Sequence, residues 1–489
     1  MANEPYMHGI YVNVNDTQMP APKFSSGGVQ VVIGTAPVNL ADNPETTVNR
    51  PILCTTLDQA KASVGYSENC DWSEYTLCQS IYASFVKYKV SPVVLINVLD
   101  PAIHKTSIAQ AEYPVLKRKC MVQVFGIVPE SVVIKTAADG TALEKGKDYI
   151  QSFDSNGYLT ISLLAAGSAA DATKLFVTYD KLDPTAVDAD DIIGGVSADD
   201  GSESGMALIR QIYPRLGVNA GLIIAPGWSH LSTVAAAMEA KCEKINGCFT
   251  SDCVIDIDSS REGARTMTDV ADKKEALGTI SEHSILCWPM TKKGNRIIAM
   301  SADLAARAIR MDQSNDDVPY QSPSNKDLDV DMIVLADGTE VMLDFEQANE
   351  INASGVVTAI NRRGYYSWGN NTAAYPGTMD PVKRWINIRR FFTWWSNNFV
   401  NSFLDRVDDL ANMRLVECVV DEENIRCNGY VANGYCAGAS VEYNPEKTDI
   451  LNGKIVLKQK LTPYPPAETI INEVEYDVNE LIAVMGGEK

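Results

Sequence analysis

Apolar positions near the start of the chain follow two different periods. His8-Gly-Ile-Tyr-Val-Asn-Val-Asn15 sets Ile10, Val12 and Val14 on one face and Tyr11 and Asn13 on the other, the two-residue period of a β-strand. Met19-Pro-Ala-Pro22 comes next and is too proline-rich for a tight hairpin, so this strand has no sequence neighbour to pair with. Gly28-Val-Gln-Val-Val-Ile-Gly34 is a continuous apolar run of the kind that forms a buried strand. Helical spacing over 55–62 and 72–88 then leads into the strand Pro92-Val-Val-Leu-Ile-Asn-Val98, and this β-α-β alternation predicts an α/β sheet.

From about 104 to 185 the period changes. Ser131-Val-Val-Ile, Tyr149 to Phe153, Tyr158 to Leu164 and Leu175 to Tyr179 read as strands, and Asn156-Gly157 between two of them is a hairpin signal. The α/β alternation resumes with a helix near 203–213, strand Gly221 to Ala225, helix 229–245, strand Val254 to Ile257 and helix 263–277. A small β-rich domain inserted into a split α/β domain accounts for that order.

Asp380-Pro381 is a helix start, with a capping carboxylate followed by proline at the first helical position. Trp385, Ile388, Phe392, Trp395, Phe399 and Phe403 then recur at intervals of three or four, which predicts one long helix packing an aromatic face. A second helix is expected near 409–431. Strands over 454–461 and 470–478 close the sequence around Thr462-Pro-Tyr-Pro-Pro466, and in the last one Val474, Tyr476 and Val478 alternate with Glu473, Glu475 and Asp477. Both terminal segments are therefore strand-like and set off by proline-rich joints. A terminal strand without a partner exposes backbone donors and acceptors unless it folds back or another molecule completes the sheet.

The chain has 489 residues, enough for about three or four domains at roughly 100–200 residues each. Its formal charge of −21 argues against nucleic-acid binding, which needs a concentrated basic surface. No basic and apolar leader precedes the first strand and no apolar run approaches the roughly 18 residues of a membrane span, so neither secretion nor membrane insertion is expected. Eleven cysteines without a C-x-x-C pair suggest reduced, mostly buried thiols.

Catalytic motifs fail on spacing. Gly140 to Asp148 has five residues between its glycines and Asp after the lysine, so it lacks the phosphate loop and reads as a turn. Asp188, Asp190 and Asp191 resemble the start of a calcium loop whose other ligands are missing. His8, His104, His230 and His283 lie far apart. Pro226-Gly-Trp-Ser-His230 follows a strand, but Leu231 stands where a nucleophile elbow requires glycine, and Ser229 is expected to cap the next helix. No enzyme activity and no cofactor are expected.

Several stretches carry a resemblance. His8-Gly-Ile-Tyr-Val-Asn-Val14, Val31-Val-Ile-Gly-Thr-Ala-Pro37, Asn97-Val-Leu-Asp-Pro101, Ala225-Pro-Gly-Trp-Ser229 and Pro323-Ser-Asn325 occur in order. The most specific region is Ala348 to Thr372, with Asn352-Ala-Ser-Gly-Val-Val-Thr358 and Trp368-Gly-Asn-Asn-Thr372, followed by Ile386-Asn-Ile-Arg-Arg390. In these the chain resembles the contractile tail sheath proteins of bacteriophages and related phage-tail-like injection particles. Asn370 and Asn371 depart from the basic residue often found before that threonine.

The resemblance implies an N-terminal arm (1–24), a split α/β core (25–103 and 186–378) called subtilisin-like in name only, an outer β-rich insertion (104–185) and an α+β C-terminal domain with its arm (379–489). It implies self-association as stacked six-fold rings around an inner tail tube protein, with baseplate and tail terminator proteins as further partners and no direct contact with nucleic acid. Arms would add strands to neighbouring C-terminal domains, through Ile10, Tyr11, Val12, Asn13 and Val14 at one end and Ile470, Val474, Tyr476 and Val478 at the other. Contraction would drive the tube through a target envelope. Arg414, Glu417 and Asp421 on the second C-terminal helix are tube-contact candidates by the same analogy, with a solvated helix face as the alternative. The expected location is a virion tail or phage-tail-like particle assembled in the bacterial cytoplasm. A static self-assembling surface or filament protein is the competing reading.

Overall fold

A computed structural model describes residues 29–485. The expected N-terminal strand and its proline joint lie outside these residues. The chain first forms β1 (Gln30–Gly34), β2 (Ile52–Cys54) and β3 (Val93–Asn97), and every residue of β1 and β3 is buried. A helix at Leu57–Val64 starts where Thr56 accepts from the Gln59 N–H. The helix expected over 72–88 is a short α-helix, Leu77–Ile81, running into a π-helical turn, Tyr82–Lys87.

After β3 the chain leaves this sheet and forms β4 (Lys105–Pro114), β5 (Lys119–Val122), β6 (Val133–Lys135), β7 (Tyr149–Phe153), β8 (Leu159–Leu163) and β9 (Lys174–Leu182). These make two three-stranded sheets, β4-β9-β6 and β5-β8-β7, around their own core of Val122, Ile134, Leu159, Ile161, Leu175 and Val177. The hairpin at Asn156-Gly157 joins β7 to β8, with Gly157 at φ +76°, and a Cβ there would lie 2.5 Å from Phe125.

The chain returns with β10 (Leu222–Ile224), β11 (Asp252–Asp256) and β12 (Ser284–Cys287), connected by helices Ser232–Glu243 and Asp269–Leu277. It continues through β13 (Met290–Lys293), β14 (Arg296–Ile298), the helix Met300–Gln313, β15 (Met332–Val334), β16 (Glu340–Val341), the helix Phe345–Ala353, β17 (Val356–Asn361) and β18 (Tyr365–Trp368). The main sheet has the order β18-β17-β12-β11-β10-β1-β3-β2. Its interior pairs are parallel and only the outermost pairs, β2 with β3 and β17 with β18, are antiparallel. Parallel strands need cover on both faces, which explains why β1, β10 and β12 are unbroken apolar or buried runs.

In the C-terminal part Asp380 caps a four-residue helix, Pro381–Arg384, by accepting from the Val382 N–H. Trp385 breaks it with extended backbone (φ −87°, ψ 123°), and the long helix is Ile386–Phe403. Its buried face carries Ile388, Phe391, Trp394 and Trp395, while Phe392, Phe399 and Phe403 are half-buried. Aromatics stand side by side at 391–392 and 394–395, so the sequence offers two stripes, and packing against Val318, Cys427 and Tyr435 selects the one it buries. A second helix, Met413–Ala432, is capped by Asn412 and packs on β19 (Cys436–Tyr443), which pairs antiparallel with β20 (Leu457–Pro463).

The strand expected at 470–478 pairs with nothing among the described residues: 464–477 has no ladder, and Val478 instead opens the helix Val478–Val484. A strand exists only through a partner ladder, and the described residues supply none there.

Candidate assembly surfaces

The residues weighed for chemistry hold the fold together. Ser229 does not cap the helix after it; Leu231 takes that position without a side-chain bond. Ser229 is fully buried, and its hydroxyl donates to Asp256 Oδ2 at 3.1 Å while accepting the Asp256 N–H at 3.0 Å. The second reason for this arrangement is Ser301, whose N–H donates to Asp256 Oδ1 at 2.8 Å, so the carboxylate caps the helix Met300–Gln313 from β11. Burial nevertheless pushes the Asp256 carboxyl above the usual range. Ser229 is itself buried and its hydroxyl is engaged on both sides by the half-buried Asp256, so it is a structural bond and not a presented nucleophile. Asp188 and Asp191 form a reciprocal capping box on Ala189–Ile193, which uses the oxygens a calcium ion would need. Asp148 ties a turn, accepting from the Glu144 N–H at 2.9 Å and from the Ser168 N–H and hydroxyl.

Among the described residues no group of three or more His, Cys, Asp or Glu is placed to hold a metal ion, and no helix is long and apolar enough to cross a membrane. His283 pairs with Asp252 at 2.9 Å across β12 and β11, a contact that sequence spacing did not reveal. All eleven cysteines are free, and eight of them are buried.

Most of the exposed large apolar side chains among the described residues lie at the C-terminal end. The aromatic helix, the helix Met413–Ala432 and the two-stranded sheet share a core of Phe391, Trp394, Trp395, Cys427, Tyr435 and Cys436. Gln459 of β20 is pinned by the Trp395 indole N–H, which donates to it at 3.0 Å, and by its own bond to the buried Glu423 at 2.9 Å. Beside β20 is an apolar cavity of about 570 Å³ lined by Phe399, Phe403, Val407, Leu415, Val419 and Leu457 among others. Beyond Pro463, the terminal segment touches the rest of the chain through Asn387, which donates to the Tyr464 carbonyl at 3.3 Å, and through Arg384 with Glu468 at 2.8 Å. Past that point its apolar side chains are in solvent, with Ile470 86%, Val474 84% and Tyr476 75% exposed and Val478 51%.

Arg414, Glu417 and Asp421 are exposed at intervals of three and four, hence on one face of their helix, and none forms an ion pair among the described residues. Leu404, Val407, Leu410 and Met413 are exposed just before that face, a neighbouring apolar surface that the helical pattern alone did not predict because it lies largely in the connection. Ile10, Tyr11, Val12, Asn13 and Val14 lie outside the described residues.

A polar seam joins this end to the main sheet. Arg390 meets Asp312 at 2.5 Å with both side chains buried, and the burial raises the Asp312 carboxyl even though the guanidinium opposes the shift. The Tyr435 hydroxyl donates to Asp316. Within the core beside this seam, Lys274 donates to three carbonyls, Ser354, Ala373 and Tyr375, at 2.6–2.8 Å, and its burial brings the ammonium down to about 8. Asn387, Asn370 and Glu282 add bonds along the same line.

The described residues form a mixed α/β chain with several sheets, in which the outer edge of β20 pairs with no other described strand. No protein-family model matches it. The chain is 26% identical over 507 aligned residues, 99% of each chain, to the tail sheath protein of Burkholderia phage BcepMu. It is 22% identical to the tail sheath protein of Escherichia phage P2 across 56% of this chain and 68% of that one. Its fold is similar to a chain of the anti-feeding prophage baseplate (TM-score 0.58, 13% identity, 97% of this chain and 100% of that one). It is also similar to the sheath of the extracellular contractile injection system PVC in its contracted state (TM-score 0.56, 15% identity, 97% and 100%). Over its whole length the chain is thus similar to a phage tail sheath protein, and its fold is similar to that of chains from contractile injection particles; the sheath relatives are structural proteins and not enzymes.

Proposed function

We propose that this protein is the contractile sheath subunit itself, assembling as stacked six-fold rings around an inner tail tube and shortening to drive that tube through a cell envelope. The observation that carries the reading is a two-stranded C-terminal sheet whose outer edge is unfilled among the described residues, in the same chain as an alternating, exposed terminal segment that pairs with no described residue. Strand addition between copies satisfies both, and because donor and acceptor surfaces differ, the contact is heterologous and propagates. The residue units 1–24, 25–103 with 186–378, 104–185 and 379–489 act as arm, core, outer insertion and joined end. The proline joints at 19–22 and 462–466 are straps. Backbone ladders persist while cores turn and repack, so the lattice changes shape without coming apart, and a metastable extended lattice copied from the tube supplies the energy. Baseplate and terminator proteins hold its two ends, in a virion tail or similar particle put together in the host cytoplasm.

Arg414, Glu417 and Asp421 face the tube: a sparse polar contact templates assembly and still releases. Deleting residues 1–18 leaves a folded monomer that does not polymerise in sedimentation. Normal assemblies from the deletion overturn the arm assignment.

A further inference from the structure

Two thiols far from the C-terminal surfaces face each other. Cys70 lies in the bend after the helix Leu57–Val64, Cys78 is the second residue of the helix Leu77–Ile81, and their sulfurs are 3.8 Å apart. A disulfide needs about 2.05 Å, and rotation about a Cα–Cβ bond moves a sulfur by more than that difference. The backbone around them is already folded into place. The Ser67 carbonyl accepts from the Trp72 indole N–H at 3.0 Å and from the Cys70 thiol at 3.3 Å. Gln79, next to Cys78, donates its side-chain amide to the Trp72 carbonyl at 2.7 Å.

Access singles out this pair. Cys242 with Cys253 and Cys427 with Cys436 also lie near one another, but all four are fully buried and shielded from any oxidant in the folded protein. Cys70 is half-buried and Cys78 fully buried, so one thiol meets solvent and the other waits behind it. A disulfide oxidant such as oxidised glutathione supplies the electron balance. The Cys70 thiolate attacks one sulfur of the oxidant; half of it leaves as a thiol and half stays on Cys70. The Cys78 sulfur then displaces that half, and its proton goes to the departing thiolate. Two protein thiols lose two electrons and two protons, and the oxidant ends as two thiols.

The bridge would hold a joint. Asn69 donates to the Ser155 carbonyl at 3.3 Å and to Asn156 Oδ1 at 3.1 Å in the β7–β8 turn, and Tyr75 packs edge-on against Phe125 with ring centres 5.5 Å apart. Trp72 lies 4.2 Å from the Arg296 guanidinium of β14, which also pairs with Glu68 at 2.9 Å. Segment 68–76 is therefore a contact between the β-rich insertion and the domain of the main sheet.

We infer that Cys70 and Cys78 form a redox-controlled staple, open where thiols are kept reduced and closed in oxidising surroundings, and that its closure stiffens the contact between insertion and main-sheet domain. It requires no neighbouring copy.

The test uses the full-length protein, freed of reductant and held with oxidised glutathione at about pH 8. Remaining thiols are alkylated and the chain is cut after Lys and Glu; Glu74 lies between the two cysteines, so peptides 69–74 and 75–87 stay joined only through a disulfide. Mass spectrometry should find them joined in most chains and separated by reductant, while the exposed Cys248 carries a single glutathione. Alkylation of both Cys70 and Cys78 beside a modified Cys248, or glutathione kept on Cys70 with Cys78 free, would overturn the staple. In Cys78→Ala the glutathione should stay on Cys70, since nothing displaces it; its loss to another cysteine would count against Cys78 as the partner. Hydrogen exchange at 67–76 and 154–158 should slow roughly ten-fold on oxidation of the parent and not of Cys70→Ser. Equal rates in the oxidised and reduced parent would overturn the effect on the joint.

Discussion

Single buried polar residues decide how the two ends of this molecule hold together. Arg390 and Asp312 are buried as a pair, their side chains 4% and 0% exposed. Removing one partner strands the other, so Arg390→Met should lower unfolding stability by about 3–5 kcal/mol, and adding Asp312→Leu should recover most of it in urea titrations. An equal loss in the single and double variants would show that packing, and not charge, is what Arg390 supplies. Ser229 is a second case. Ser229→Ala removes one donor from the Asp256 carboxylate and should cost about 1–3 kcal/mol, and neither it nor the parent should react with a fluorophosphonate probe. Labelling of the parent at Ser229 would reopen the hydrolase reading.

At the scale of elements, opposite pKa shifts give two regions opposite responses to acid. Asp148, Asp180 and Asp183 in and beside the insertion accept hydrogen bonds that hold them below their ordinary value of 3.8. There the unfolded chain binds more protons, so their contribution is present above 3.8 and is lost as pH falls through the folded values. Glu239 and Asp312, raised by burial, bind more protons when folded, so their regions gain stability as pH falls from neutrality. Hydrogen exchange at about pH 5 and about pH 3.5 should show the insertion losing protection only at the lower value, with the seam at Asp312 no less protected at the higher one. Uniform loss of protection at both would contradict this. Gly157→Val should separately weaken the insertion, since it forces φ +76° on a branched residue and a clash with Phe125. Unchanged thermal unfolding of that variant would count against the turn geometry.

The same elements show what was legible in the sequence. Buried parallel strands such as β1, β3 and β10 announce themselves as apolar runs, and the Asn-Gly turn marks its hairpin. β19 is rich in Gly, Ala and Ser and β4 is exposed on both faces, so neither has an apolar period to read. The aromatic helix carried two possible stripes, and only packing chose between them. For the assembly surfaces, alternation in 473–478 was readable, but the bonds between the Asn424 carboxamide and the Val441 backbone, and the contacts of Lys458 and Lys460 with Glu442, join residues separated in the sequence.

For the whole molecule, the charge of −21 first spoke only against nucleic-acid binding. In the proposed ring of identical subunits the same excess repels unless acidic side chains meet basic ones across each contact, and salt screens both effects. The proposed shortening also requires subunits to remain joined, which the proposed strand ladders between copies would permit. The most direct measurement is electron microscopy of the purified full-length protein. The account predicts hollow helical tubes in which density for a neighbour's terminal strand continues the β19-β20 sheet; monomers, or flat and open filaments whose C-terminal sheets remain two-stranded, would contradict it.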